Sequence, residues 1–164
     1  MKIGCGIFLK LRKNEVMIVG FTGTQKGMTM SQLELLRRFL ELLCNGETGL
    51  VIRHGGCIGA DKEFDTICQE LGISRIVHPS NIGNKQATIG KGNVHVLLSK
   101  PPLIRNHNIV DKSEIILAAP KERDEIIRSG TWATIRYAAK RIKIGKLKSL
   151  LIIRPEGSIT TYEK

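Results

Sequence analysis

The chain has 164 residues, 26 Lys and Arg against 15 Asp and Glu, a formal net charge of +11, and 41% hydrophobic but only 4% aromatic residues. That length suits one domain, the usual span being about 100–200 residues. The composition excludes a disordered or fibrous chain, and no apolar run approaches the ~18 residues of a membrane span. The positive balance implies an anionic partner, since the summed field attracts phosphates. The scarcity of aromatics disfavours a protein that stacks single-stranded bases on aromatic platforms.

Residues 1–9 are largely apolar and run into Lys10, Arg12 and Lys13 with no small-residue cleavage site. They read as an edge strand or extension over 1–14, not a signal peptide. The apolar run 16–21 reads as a buried parallel strand. Ser31-Gln32-Leu33-Glu34 has the capping-box pattern, and Leu33, Leu36, Phe39, Leu40 and Leu43 follow at helical spacing until Asn45-Gly46. Residues 49–53 form a second strand. Residues 60–71 form a helix with Phe64, Ile67, Cys68 and Leu71 on one face, and 75–78 a third strand closed by Pro79. Residues 80–100, rich in Asn and Gly, predict a long, flexible excursion with a small strand at 94–98. A short helix over 103–111, a strand over 114–119, a charged loop over 121–129, a helix over 131–142 and a last strand over 149–153 complete the series.

Strands alternating with helices predict an α/β fold, a three-layer Rossmann-like sandwich with a mostly parallel sheet. It forms a single domain over 15–155, with 156–164 as a C-terminal tail. Ligands of such sheets sit beyond the carboxyl ends of the strands, near the point where the strand order reverses. Four segments lie at such ends.

The first is Thr22-Gly23-Thr24 with Lys26, whose hydroxyls, amides and charge suit a phosphate or ribose. The second is His54-Gly55-Gly56-Cys57-Ile58-Gly59-Ala60-Asp61. Gly55, Gly56 and Gly59 allow close backbone approach to an anion and the helix start offers amides, although a plain tight turn capped by Asp61 explains the same residues. It is neither a Walker A loop nor G-x-G-x-x-G. The third is Arg105-Asn106, an Arg fork at a helix start. The fourth is Ser129-Gly130-Thr131-Trp132, where a Gly-Thr pair opens a helix. Trp132 is placed to stack on a base or pack a neighbouring subunit, and Tyr137 to pack the core.

Cys5, Cys44, Cys57 and Cys68 show no C-x-x-C pair and no metal-ligand spacing. They read as reduced thiols in a cytoplasm, with Cys57 a small packing residue, and no metal or cofactor is expected. His54 and His78 both end strands and are expected to face one cleft; no nucleophilic triad can be assembled. Arg136, Lys140, Arg141, Lys143, Lys146 and Lys148 make a basic run.

In this order and spacing, the segments at 21–24, 54–61, 105–110, 115–120 and 130–138 resemble the SLOG superfamily, its YspA-like branch in particular, over roughly residues 16–155. The resemblance implies a Rossmann-like domain that binds a nucleotide or nucleotide-derived ligand, an NAD-derived signal among them, as a sensor or a phage-type sequestering protein. Ligand contacts would come from Thr22, Gly23, Thr24, Gly55, Gly56, Cys57, Gly59, Ala60, Asp61, Arg105, Asn106, Gly130, Thr131 and Trp132. It also implies a homo-oligomer and, for a phage protein, the host cytoplasm. The related Lonely Guy phosphoribohydrolases carry P-G-G-x-G-T-x-x-E, whose Glu is Thr134 here. An N-glycosidase is therefore an alternative that would fall to Asp61 as acid or base. DNA-processing protein A, also similar, makes a DNA-binding module using the basic run a second alternative.

Overall fold

The computed structural model describes residues 15–45 and 49–164, so the strand expected within 1–14 lies outside the described residues. In chain order the elements are β1 (Met17–Gly23), α1 (Met30–Cys44), β2 (Leu50–His54), α2 (Ala60–Glu70), β3 (Ser74–Val77), β4 (Val94–Val96), α3 (Pro102–Asp111), β5 (Ile115–Ala119), α4 (Gly130–Lys143), β6 (Ser149–Ile153) and β7 (Ile159–Glu163). They build one sheet in the order β4-β3-β2-β1-β5-β6-β7. Every pairing is parallel except β6 with β7.

The three layers follow from the period of two along the strands. In β5, Ile115, Leu117 and Ala119 join a core with Leu36 and Leu40 of α1 and Phe64 and Cys68 of α2. Ile116 and Ala118 point the other way and join Ile109 and Val110 of α3 and Trp132, Ile135 and Ala138 of α4. In β6, Leu151 and Ile153 divide from Leu150 and Ile152 in the same manner. Both strands are buried along their whole length, as inner strands covered on both faces must be, and read as apolar runs apart from Ser149 at the start of β6.

Three local features differ from the sequence reading. The capping box of α1 sits two residues earlier. The Gln32 amide donates to Thr29 Oγ1 at 3.2 Å, and the Thr29 amide donates to Gln32 Oε1 at 3.0 Å. Residues 156–164 are not a free tail, because Ile159–Glu163 add an antiparallel edge strand to β6. The turn that returns the chain has Gly157 at φ 88° and Arg154 N–H donating to Ser158 C=O at 2.9 Å. The excursion after β3 is tied down: Arg75, fully buried, donates to the Gly90 and Lys91 carbonyls at 3.2 and 2.6 Å. Gly90 N–H in turn donates to Asp65 at 3.0 Å.

Gln32 fixes α1 to the sheet. Its side-chain amide is buried and donates to Pro120 C=O and Ile153 C=O, both at 2.8 Å, just past the end of β5 and at the end of β6. Gln32→Leu strands both carbonyls and removes half of the capping box. It should cost about 2–4 kcal/mol, read in urea unfolding as a lower midpoint with an unchanged slope.

Candidate functional site

The chain leaves β1 toward β2 on one side, while β5 pairs with β1 on the other and the chain goes on to β6. The order of strands reverses there, and loops diverging from a reversal leave a crevice beyond the strand ends. A cleft of about 500 Å³ occupies that position, with walls from the ends of β1 and β5 and the starts of α2, α3 and α4.

The β1 wall is Thr22, Gly23, Thr24, Gln25 and Lys26. Its course is fixed by the backbone: Thr24 N–H donates to Ala119 C=O at 3.2 Å, and Thr24 C=O accepts from Ala60 N–H at 2.9 Å. The latter bond clamps the first turn of α2 onto the end of β1. It also explains two small residues. A Cβ on Gly59, which has φ 82°, would lie 2.7 Å from Thr24 O, and one on Gly23 would fall on the Ala60 methyl group.

From the β2–α2 loop, Cys57 and Asp61 reach the cleft, whereas Gly55, Gly56, Gly59 and Ala60 stand behind its wall. The Ala60 amide is spent on Thr24, and the Gly56 amide donates to His54 Nδ1 at 3.1 Å. Asp61 is buried and accepts from Cys57 N–H at 3.2 Å. Burial pushes its carboxyl above the ordinary carboxylate range, against the pull of His54, Arg105 and the Cys57 and Gly55 amides. Burial likewise pushes the Cys57 thiol up, with the Asp61 charge adding to it. Cys57 is buried in the cleft wall.

From α3, Arg105 and Asn106 face the cleft. Arg105 is only 7% exposed, yet its partners are few. Nη2 donates to Cys57 Sγ at 3.3 Å, Nη1 lies 3.8 Å from Asp61 Oδ2, and Nε has no partner among the described residues. A guanidinium carries five donors, so most of this one's capacity is unmet.

The start of α4 closes the opposite wall with Ser129, Gly130, Thr131 and Thr134. Ser129 Oγ caps the helix by accepting from Trp132 N–H at 3.3 Å. The Gly130 and Thr131 amides, which precede the first turn's internal bonds, have no partner among the described residues. Trp132 does not reach the cleft. It is 4% exposed and packs in the core beside Ile109, while Tyr137, expected in the core, stacks on His107 near the surface with centroids 3.7 Å apart. Tyr137 is half-buried and also packs against this core, so only the expectation for Trp132 is overturned.

The charge of the cleft comes partly from residues the sequence does not single out. Lys85, Lys121 and Arg128 join Lys26 and Arg105, and Glu122 joins Asp61, so five cations face two carboxyl groups. Lys121 and Arg128 belong to the charged loop after β5, to which the sequence reading gives no ligand role. Lys85 arrives through the excursion, where Lys85 C=O accepts from Ile58 N–H at 3.0 Å.

The two strand-end histidines do not share a cleft. His54 is wholly buried, with Nε2 3.1 Å from Asp65 Oδ1. Burial alone would raise the Asp65 carboxyl, but the His54 hydrogen bond, the Gly90 amide and Arg75 hold it below the ordinary range. His78 faces Arg53 instead, whose Nη1 lies 3.0 Å from its Nε2. In the basic run, Arg136 pairs with Glu125 at 2.8 Å, Arg141 with Asp111 at 2.6 Å, and Lys148 with Glu114. No group of three metal-ligating side chains occurs among the described residues, and no helix there is long and apolar enough to cross a membrane.

No protein-family model matches the sequence, and no curated protein matches it either. Solved structures do resemble it. The molybdenum cofactor binding protein of the phototrophic bacterium Rippkaea orientalis superposes with a TM-score of 0.59 at 18% identity, covering 88% of this chain and 78% of that one. The molybdenum cofactor carrier protein of Chlamydomonas reinhardtii gives 0.57 at 18% identity, covering 83% and 76%. What these proteins share with this chain is the Rossmann-like α/β fold.

His78 supplies a pH test of the site's surroundings. Burial first, then the charges of Arg53, Lys112 and Arg105, lower its pKa from 6.5 to about 4. Between those values the unfolded chain binds the extra proton, so stability is full above pH 6.5 and falls as the pH drops toward 4. The loss should reach up to about 3 kcal/mol. Urea midpoints measured from pH 7 to 4 should show a slope in the parent chain that His78→Gln, which keeps an acceptor for Arg53, flattens.

Proposed function

We propose that the protein binds a nucleotide or nucleotide-derived anion in the cleft beyond β1 and β5. The observation that carries this reading is Arg105, a buried guanidinium with most of its donors unmet, on the wall of a cleft with a cationic excess. Across from it are the two free amides of α4, which favour an oxyanion through direct donation and the helix dipole. Thr22, Thr24, Asn106 and Thr131 add neutral donors and acceptors of the kind that ribose hydroxyls and phosphate oxygens use. A volume of about 500 Å³ falls within the usual ~300–1,000 Å³ of small-molecule sites.

Two further considerations support the reading. The SLOG resemblance points to the same class of ligand. Two proteins of this fold are described as binding or carrying molybdenum cofactor, which belongs among the ligands to be tried. The alternatives have less to stand on. An N-glycosidase needs a free carboxyl group, and Asp61 already holds Cys57 N–H and faces Arg105, while Thr134 Oγ1 is bonded to Gly130 C=O at 3.0 Å. A DNA-binding face built on the basic run loses Arg136, Arg141 and Lys148 to ion pairs. An NAD-derived signal, a sensing or sequestering role in the cytoplasm, and self-association remain within the proposal as its finer readings.

Calorimetric titration with AMP, ADP, ATP, NAD, ADP-ribose and molybdenum cofactor tests it. At least one phosphate-bearing ligand should bind below about 1 mM, while adenosine alone should not. Arg105→Ala should weaken that binding about 10- to 100-fold, the worth of charge-assisted hydrogen bonds. Absence of binding across the whole set at millimolar concentration overturns the reading.

A further inference from the structure

Gly55 is a glycine for a reason that its own backbone does not supply. Seven glycines of the described chain adopt positive φ, Gly56 and Gly59 among them, but Gly55 does not. The turn therefore does not need a glycine at position 55. What needs it is Arg105, fifty residues later on α3. A Cβ on Gly55 would fall on Arg105 Nη1, 2.6 Å from Arg105 Cζ and 2.8 Å from Asp61 Oδ2. The guanidinium thus lies against bare backbone, in a seat whose other sides are Cys57 Sγ, 3.3 Å from Nη2, and Asp61 Oδ2, 3.8 Å from Nη1. Cys57 N–H in turn orients Asp61 at 3.2 Å.

We infer that the His54–Asp61 loop is a seat for the Arg105 guanidinium, with Asp61 as one side of the seat and Gly55 as a positioning residue that acts on the ligand only through Arg105. The loop contributes shape where the glycine pattern suggests direct phosphate contact. Gly55 supplies room and Asp61 an oriented carboxyl, while the bulk of the donors stay unspent for the cleft. Neither Gly55 nor its neighbours Gly56, Gly59 and Ala60 reach the cleft surface themselves. The ligand side of this inference rests on the proposed function; the seat itself does not.

A double-mutant cycle separates the two. Gly55→Ala, Arg105→Ala and the double variant of the full chain are unfolded thermally, and ADP is titrated into each and into the parent. Gly55→Ala should lower Tm by roughly 3–10 °C, as overpacking does. In the Arg105→Ala background the same substitution should cost less than about a third of that, since the atoms it collides with are gone. An equal drop in both backgrounds overturns the seat. If Gly55→Ala fails to fold alone, a folded double variant supports the seat and an unfolded one overturns it. At temperatures where Gly55→Ala is fully folded, its ADP affinity should fall to within about threefold of Arg105→Ala, and the double variant should bind no more weakly. Parental ADP affinity in folded Gly55→Ala overturns the positioning role. A parent that does not bind ADP counts against the nucleotide reading, while the stability cycle still decides the seat.

Discussion

The reversal of strand order between β1 and β5 is the constraint on which the rest depends. Crossovers that leave a parallel sheet toward opposite edges cannot fill the space between their first turns, so a crevice opens above the two central strands. Topology gathers there residues from four separate segments. The β1 loop, the start of α2, Arg105 of α3 and the start of α4 are distant in the chain and adjacent in space. The bond from Ala60 N–H to Thr24 C=O holds the start of α2 against the β1 loop at the edge of the crevice.

Within that crevice the electrostatics are those of an incomplete pairing. Taking a guanidinium out of water is costly unless its donors are met. Arg105 is buried beside a thiol and a carboxyl that burial pushes toward its neutral form. Other buried donors, Nε of Arg53 and of Arg75 and Nε1 of Trp132, likewise lack a hydrogen-bond partner among the described residues. Arg75, equally buried, meets Asp65 and two carbonyls. The two arginines both leave Nε unpartnered and differ in what they face: Arg75 a carboxylate that its neighbours hold charged, Arg105 a carboxyl that burial pushes toward neutral.

Much of the fold was legible because parallel strands and amphipathic helices have periods that a single sequence displays. β5 is apolar throughout and β6 is apolar after Ser149, and α1 and α2 carry their stripes plainly. The edge strand β7 was not, because an exposed strand such as Ile-Thr-Thr-Tyr-Glu lacks an alternation that distinguishes it from a polar tail. For the site, Thr22, Thr24, Arg105, Asn106, Gly130 and Thr131 could be placed from their positions at strand and helix ends. The glycines of 54–61 point to phosphate only if glycine means close approach of a ligand. At Gly55 and Gly59 the space is taken by Arg105 and by the β1 loop, and no local pattern reveals a neighbour fifty or thirty-five residues away. Trp132 was misplaced for a related reason, since helical phase shows which face is interior only once the sheet is in place.

Asp65 has a reach that its burial conceals. It accepts from Gly90 N–H, faces His54 and Arg75, and so ties the middle of the excursion to the underside of α2. The same excursion carries Lys85 to the rim of the cleft. One wall of the cleft is therefore moored from below, by a carboxylate on the far side of the β2–α2 loop. Length changes between Lys85 and Gly90 would alter the rim while the ties at Gly90 and Lys91, made by Asp65 and Arg75 together, stay in place. Variation in this chain is thus free to retune the rim of the cleft separately from its floor.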